Sequence, residues 1–300
     1  WYHRKTIDLL WDYSVPCPPY IYSSMTANAG SIKNTGIEIG ITGVVFDKKD
    51  FGWTTSVNYS HNKNVLLSLS NDQFMAADYS DQGSTGEPMQ QSTHRLQVGQ
   101  PLGNFYGFKS IDIDETGHWI IEGEDGNPKP CLDQQPTDKQ ILGNGIPSHY
   151  LNWNNNLRWK GFDLGIQIRG AFGFEILNLT AAKWGTPTML TRGNVLKSAF
   201  DKVYGKAVLA DDQPCQYVSY YVEKGDYVKI DNITLGYTFD FNKPCFKGLR
   251  LFTTIRNAAT FTGYSGIDPE LSVTGLAPGV DSYTRYPATR SYTIGVSLKF

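Results

Sequence analysis

The sequence predicts an all-β chain: an antiparallel sheet of the transmembrane β-barrel kind, with about ten strands joined alternately by short turns and long loops. Three observations predict it. Apolar and polar residues alternate with period two through many segments, which places them on opposite faces of a strand. No apolar run approaches the roughly 18 residues that a spanning helix needs. The composition, with 30 Gly, 13% aromatic residues and a mean hydropathy of −0.35, suits strands that show an apolar side chain to lipid only at every second position.

Strands are expected near residues 1–10, 32–46, 51–66, 93–100, 103–111, 149–160, 162–173, 226–240, 248–261 and 290–300. In the second, Ile37, Ile39, Ile41 and Val45 face away from Glu38, Gly40 and Thr42, and the turn at 47–50 leads into Phe51, Trp53, Val57 and Tyr59. The pair at 149–173 alternates Leu151, Trp153, Leu157 and Trp159 with asparagines and Arg158. It turns at Lys160-Gly161 and continues as Phe162, Leu164, Ile166 and Ile168, the pattern of a hairpin interrupted only by Asn155. Ile233, Leu235, Tyr237, Phe239 and Phe241 precede a turn region at Asn242-Lys243-Pro244, after which Leu249, Leu251, Thr253 and Ile255 alternate again. The last strand, Arg290 to Phe300, sets Tyr292, Ile294, Val296, Leu298 and Phe300 against Thr293, Gly295, Ser297 and Lys299.

Connections near 47–50, 100–103, 160–161 and 242–248 are brief, whereas 12–31, 67–94, 112–148, 174–225 and 262–289 are long and rich in Gly, Pro, Ser, Asn and Asp. A membrane barrel shows this asymmetry, with short periplasmic turns and long extracellular loops. An even strand count then brings Phe300 to the periplasmic rim. A water-soluble β-sandwich also alternates and stays open as a rival. The barrel is favoured by tyrosines and tryptophans gathered near strand ends, where a headgroup belt places them.

The charge balance, 27 basic against 29 acidic residues, offers no phosphate-binding surface, so nucleic acid is not an expected partner. Cys17, Cys131, Cys215 and Cys245 lack metal-ligand spacing; an oxidising envelope allows a disulfide, but spacing names no pair. The chain opens at Trp1 without an initiator Met or a signal sequence, which suggests a mature form or a piece of a longer protein. No GxSxG, HExxH or P-loop occurs, and loop carboxylates read as solvated charges, so no enzyme activity is expected. A secreted glycosidase is carried only as a third reading.

Several stretches are more specific. Ser31-Ile-Lys-Asn-Thr-Gly-Ile-Glu-Ile-Gly40, the run from Val222 to Phe239, Arg256-Asn257, the run from Thr260 to Glu270 and Tyr286-Pro-Ala-Thr-Arg290 resemble the C-terminal barrel half of the SusC/RagA family of TonB-linked outer-membrane transporters from Bacteroidota. Gly99 to Gly107 and Ile141 to Pro147 resemble its middle section, so the resemblance covers almost the whole chain in the family's order. It implies a barrel of about 22 strands around a plug, of which residues 1–300 would be the C-terminal part, without plug or TonB box. It also implies import of glycan oligosaccharides or peptides, a SusD-like surface lipoprotein as lid, TonB as energy source, and the remainder of the barrel and outer-membrane lipid as neighbours. The rival function is a surface glycan-binding β-sandwich without transport.

Loop aromatics Trp119, Trp184, Tyr217, Tyr220, Tyr221, Tyr264 and Tyr283 are candidates for ligand or lid contact. Their alternative role is to pin loops together with a bonded hydroxyl. Arg158, Arg169, Arg256 and Lys299 alternate with lipid-facing residues and should point into the lumen. Asp268-Pro269-Glu270 reads as a structural turn. No cofactor is expected; a calcium loop among Asp112, Asp114, Glu124, Asp125, Asn127, Asp133 and Asp138 is a minor option, interrupted by Pro128 and Pro130. Phe300 is the candidate assembly terminus.

Overall fold

The computed structural model describes residues 1–14, 17–19, 21–70, 78–212, 217–243, 246–286 and 288–300. Its main element is an eight-stranded antiparallel sheet. We number its strands β1 (Tyr2–Ser14), β2 (Ser24–Asp47), β3 (Phe51–Ser68), β4 (His149–Trp159), β5 (Phe162–Phe172), β6 (Tyr227–Lys243), β7 (Phe246–Thr262) and β8 (Ser291–Lys299). They follow one another in chain order, and among the described residues the sheet ends at β1 and β8 without closing.

Period two fixes the faces. Outward rows such as Ile41–Val57–Trp153 and Ile39–Tyr59–Leu151 run across β2, β3 and β4 in register. Their side chains stand in the open, Ile41 being 66% exposed and Ile294 on β8 86%. Inward rows carry Asn, Thr, Gln, Arg and Asp. Leu249 to Phe261 on β7 covers about 40 Å of strand, or roughly 30 Å at barrel tilt, enough for an apolar band of about 25 Å with its girdles. At the short-turn end the rings of Phe46 and Trp53, Trp159 and Phe162, and Phe162 and Tyr237 pack together, the last pair with centroids 4.5 Å apart.

Asn155, the polar interruption, lies on the outward face and is kept there by donors: Trp53 Nε1 at 3.2 Å and Thr55 Oγ1 at 3.0 Å. A buried amide with its oxygen satisfied twice does not break the strand.

The wall has eight strands rather than the expected ten. The segments near 93–100 and 103–111 instead contribute His94–Gln97 and Asn104–Phe108 to a separate four-stranded sheet, and the expected turn at 100–103 belongs to that loop region. Remaining short turns, after β2, β4 and β6, all lie at one end, with Phe300, since Lys299 pairs with Gly248 beside the β6–β7 turn. Pro244, Cys215, Cys245 and Pro287 lie outside the described residues. Of the other cysteines, Cys17 and Cys131 are free thiols.

At the opposite end the long loops fold into a packed cap with a core of its own. Phe105, Phe108, Trp119 and Ile121 from the β3–β4 connection share one cluster with Leu177 and Val218 from the β5–β6 connection. Between them run two further three-stranded sheets and the helix Leu179–Trp184. Gly145 shows how closely the loops approach: a Cβ there would stand 2.3 Å from the Pro278 carbonyl oxygen. Among the described residues no helix is long and apolar enough to cross a membrane.

Candidate functional site

Polar residues of alternate strand positions converge on the inward face. Near the short-turn end they line a cavity of about 650 Å³ bounded by Asn154, Asn156, Gln167, Asn232, Thr234 and Arg250. Its charges are paired: Arg250 Nε donates to Asp163 at 2.9 Å, and Arg158 lies 3.6 Å from Asp47. The polar part of this lining is rich in amide and hydroxyl groups, and its charges are paired.

Higher up the same face, the β7–β8 loop is tied to the wall. Arg169 on β5 forms a two-pronged pair with Glu270, through Nη2 to Oε2 at 2.7 Å, and Arg169 also reaches Asp231 at 2.5 Å. Asp231 is presented by a bulge in β6, where the register slips between Ile230 and Asn232. Lys229, only 1% exposed, donates to Asp268 at 2.8 Å and Glu270 at 2.9 Å, so the buried ammonium is doubly compensated. The Arg169 guanidinium is the chief reason that the Glu270 carboxyl is held down at about 2, with burial opposing and Lys229 adding to the effect. Arg285 donates to the backbone oxygens of Asp268 and Glu270. The Asp268-Pro269-Glu270 turn is thus an anchor.

Loops are joined to each other by similar bonds. His94 is buried and held neutral, its pKa lowered to about 4 by burial against the smaller opposing effect of its backbone partner. Since the Pro278 carbonyl can only accept, Nε2 carries the proton (2.9 Å), and Nδ1 accepts from Thr93 Oγ1 at 2.8 Å.

The arginines expected in the lumen are on the inward face by register. Arg158 and Arg169 are paired as described, Arg256 stands opposite Asn232 and Ser291, and Lys299 stands opposite Gly248. Arg250, which the sequence reading passed over, belongs with them; it alternates with Leu249 and Leu251 in the same way.

The loop aromatics divide. Trp119, Tyr217, Tyr221 and Tyr264 are buried, at 5% exposure or less, so they do not offer a ring face to a ligand. Tyr217 donates its hydroxyl to the Thr93 carbonyl at 2.9 Å, and Tyr264 donates to Asp281 at 2.6 Å. Their rings are core because the loops are long enough to bury one another. Tyr220 and Tyr283 remain well exposed, and Trp184 is half-buried. Tyr220 meets Tyr204 edge to face at 5.6 Å, with Trp119 beneath it at 5.1 Å, which leaves two tyrosine faces on the cap surface.

The acidic loop has a structural use. Asp114 Oδ1 accepts from the backbone N–H of Thr116 and His118, each at 2.9 Å, and Asp125 from that of Asn127 at 3.0 Å. Asp138 accepts from Lys129 and from the backbone of Glu124 and Gln135, which outweighs burial and holds its carboxyl below the usual range. Among the described residues no three His, Cys, Asp or Glu side chains are grouped to hold a metal.

Known proteins match this chain over its whole length. The chain is 28% identical over 333 residues to TonB-dependent receptor P3 of Formosa agariphila, and 28% identical over 312 residues to TonB-dependent receptor SusC of Bacteroides thetaiotaomicron. All of the chain aligns in both cases. Among solved structures, that of the RagAB peptide importer in the closed-closed state superposes with a TM-score of 0.81 over 99% of the chain, at 21% identity. Over its whole length the chain resembles TonB-dependent receptors of the SusC/RagA kind. It spans about a third of the length of these relatives, 32% and 29% of the two receptors and 33% of the solved chain. No protein-family model matches it. These relatives are named as receptors and as a peptide transporter.

Proposed function

We propose that this chain is the C-terminal portion of the wall and cap of an outer-membrane importer of the SusC type. The observation that carries the proposal is the pairing of faces: a continuous exposed apolar surface outside and an amide- and hydroxyl-lined cavity inside the same sheet. A soluble sandwich would bury its apolar face, and lipid is the surrounding that tolerates Ile41, Val57, Ile294 and Val296 in the open.

In this reading the unpaired edges of β1 and β8 join the remaining strands of a larger barrel, and a plug and TonB box lie in those other parts. Energy comes from TonB, and the cargo is oligosaccharide or peptide, since the inner face offers neutral hydrogen-bonding groups and paired charges. A SusD-like lipoprotein closes the cap from above, where Tyr204, Tyr220 and Tyr283 present exposed rings. Arg256 and Lys299 border the path of the cargo.

The test is uptake by cells expressing the full-length protein. Fluorescent oligosaccharide and peptide pools should enter cells that carry it and stop entering when the proton gradient is collapsed. Unchanged uptake after collapse, or after deletion of the gene, would overturn the reading.

A further inference from the structure

The outward face changes character at its loop-side end. Moving up from the apolar rows Ile41–Val57–Trp153 and Ile39–Tyr59–Leu151, the next row holds Ile37, His61 and His149, with the two imidazoles stacked at 4.5 Å. Above it come His3–Thr35–Lys63 and then Lys5–Lys33–Val65, read from the register of β1, β2 and β3. Lys5 and Lys33 are direct cross-strand neighbours, an arrangement that is unfavourable unless something negative lies over it. Among the described residues none of Lys5, Lys33 and Lys63 has an ion-pair partner, while Lys5, Lys63 and His3 are exposed.

We propose that this patch binds the phosphates of a lipid in the outer leaflet, with its acyl chains lying on the apolar rows below. The proposal rests on the outer-membrane reading and adds a particular lipid site to it. Two arguments select the occupant. By register the lysine backbones stand about 5 Å apart across the strands and about 7 Å apart along them, directly above the end of the apolar rows. Phosphate and acyl chains joined in one molecule fit that order, whereas a free anion uses only its upper half. The opposite rim is different: on the turn after β2, Lys48 and Lys49 are flanked by Asp47 and Asp50, so the lysines there have acidic neighbours.

The full-length protein, in non-ionic detergent, would be titrated with diphosphoryl lipid A, with its dephosphorylated counterpart, and with inorganic phosphate, and bound lipid counted by native mass spectrometry. Wild-type protein should prefer the phosphorylated lipid by roughly tenfold or more, since a lysine near an anionic surface adds about a fivefold preference. Lys5→Gln, Lys33→Gln and Lys63→Gln combined should remove the preference while leaving binding of the dephosphorylated lipid intact. The triple arginine variant should keep it, as should Lys48→Gln with Lys49→Gln at the other rim. A preference that survives in the triple glutamine variant, or that an excess of inorganic phosphate abolishes, would overturn the proposal. Equal binding of both lipids by wild type would also overturn it while leaving the importer reading untouched.

Discussion

Arg169 on β5 and Glu270 in the β7–β8 loop, 101 positions apart, meet in a two-pronged ion pair on the inward face of the wall. With Lys229 and Asp268 the pair pins that loop against the sheet. Replacing Lys229 with Met leaves the Asp268 carboxylate buried and unpaired, a loss of about 3 kcal/mol or more from the docked loop. Limited proteolysis should then cut between residues 263 and 290 much faster than in wild type, with cutting elsewhere unchanged. Glu270→Gln should act in the same direction but more weakly, because Glu270 is partly open to solvent.

Acid should release the cap in two steps. His94 ordinarily titrates near 6.5 and is held at about 4 when docked, so the undocked state binds the extra proton between these values. Docking therefore weakens as pH falls from about 6.5 to 4, by at most roughly 3 kcal/mol, and the loss levels off below. Glu270 is depressed to about 2, so its contribution is present above its ordinary pKa of 4.5 and fades as pH falls towards 2. Hydrogen exchange of the cap against pH should show both windows, and His94→Gln should abolish only the upper one.

Asn155 holds two donors on the lipid-facing side. Asn155→Ala would leave the Trp53 and Thr55 donors without their shared acceptor, at a cost of about 1–3 kcal/mol. Urea unfolding of the full-length protein in lipid vesicles should register the difference, and Asn155→Gln should not rescue it, because the longer amide displaces the oxygen.

Phe300 continues the outward row of β8 and ends at the short-turn rim. Deleting it should lower the amount of intact protein assembled in the outer membrane, measured by surface labelling, with synthesis unchanged. Normal surface levels would remove that role.

The wall was legible because period-two alternation is local. From β2 to β8 each strand carries its own record of which residues face out, and Asn155 alone did not hide it. Thr93 to Gly99 and Gly103 to Ile111 carry the same local record, yet they pair in the cap. What separates them from wall strands is the partner across the ladder, and that is not written locally. The same limit applies to Trp119, Tyr217, Tyr221 and Tyr264: an aromatic in a long polar loop looks like a binding residue until the loop's own apolar residues, such as Ile121, Leu177 and Val218, are seen to converge around it. Asp268-Pro269-Glu270 was readable as a turn, but its hold on Arg169 and Lys229 depends on a bulge at Asp231 that no spacing announces.

The central claim is that one face of this sheet meets lipid and the other meets water. It is tested most directly by single cysteines placed at Ile41, Val57 and Ile294 outside and at Asn154 and Thr234 inside the full-length protein, in a background without native cysteines. In intact membranes a water-soluble maleimide should label the inner positions and leave the outer ones unmodified until detergent is added. Labelling of the outer positions at the rate of the inner ones would contradict it.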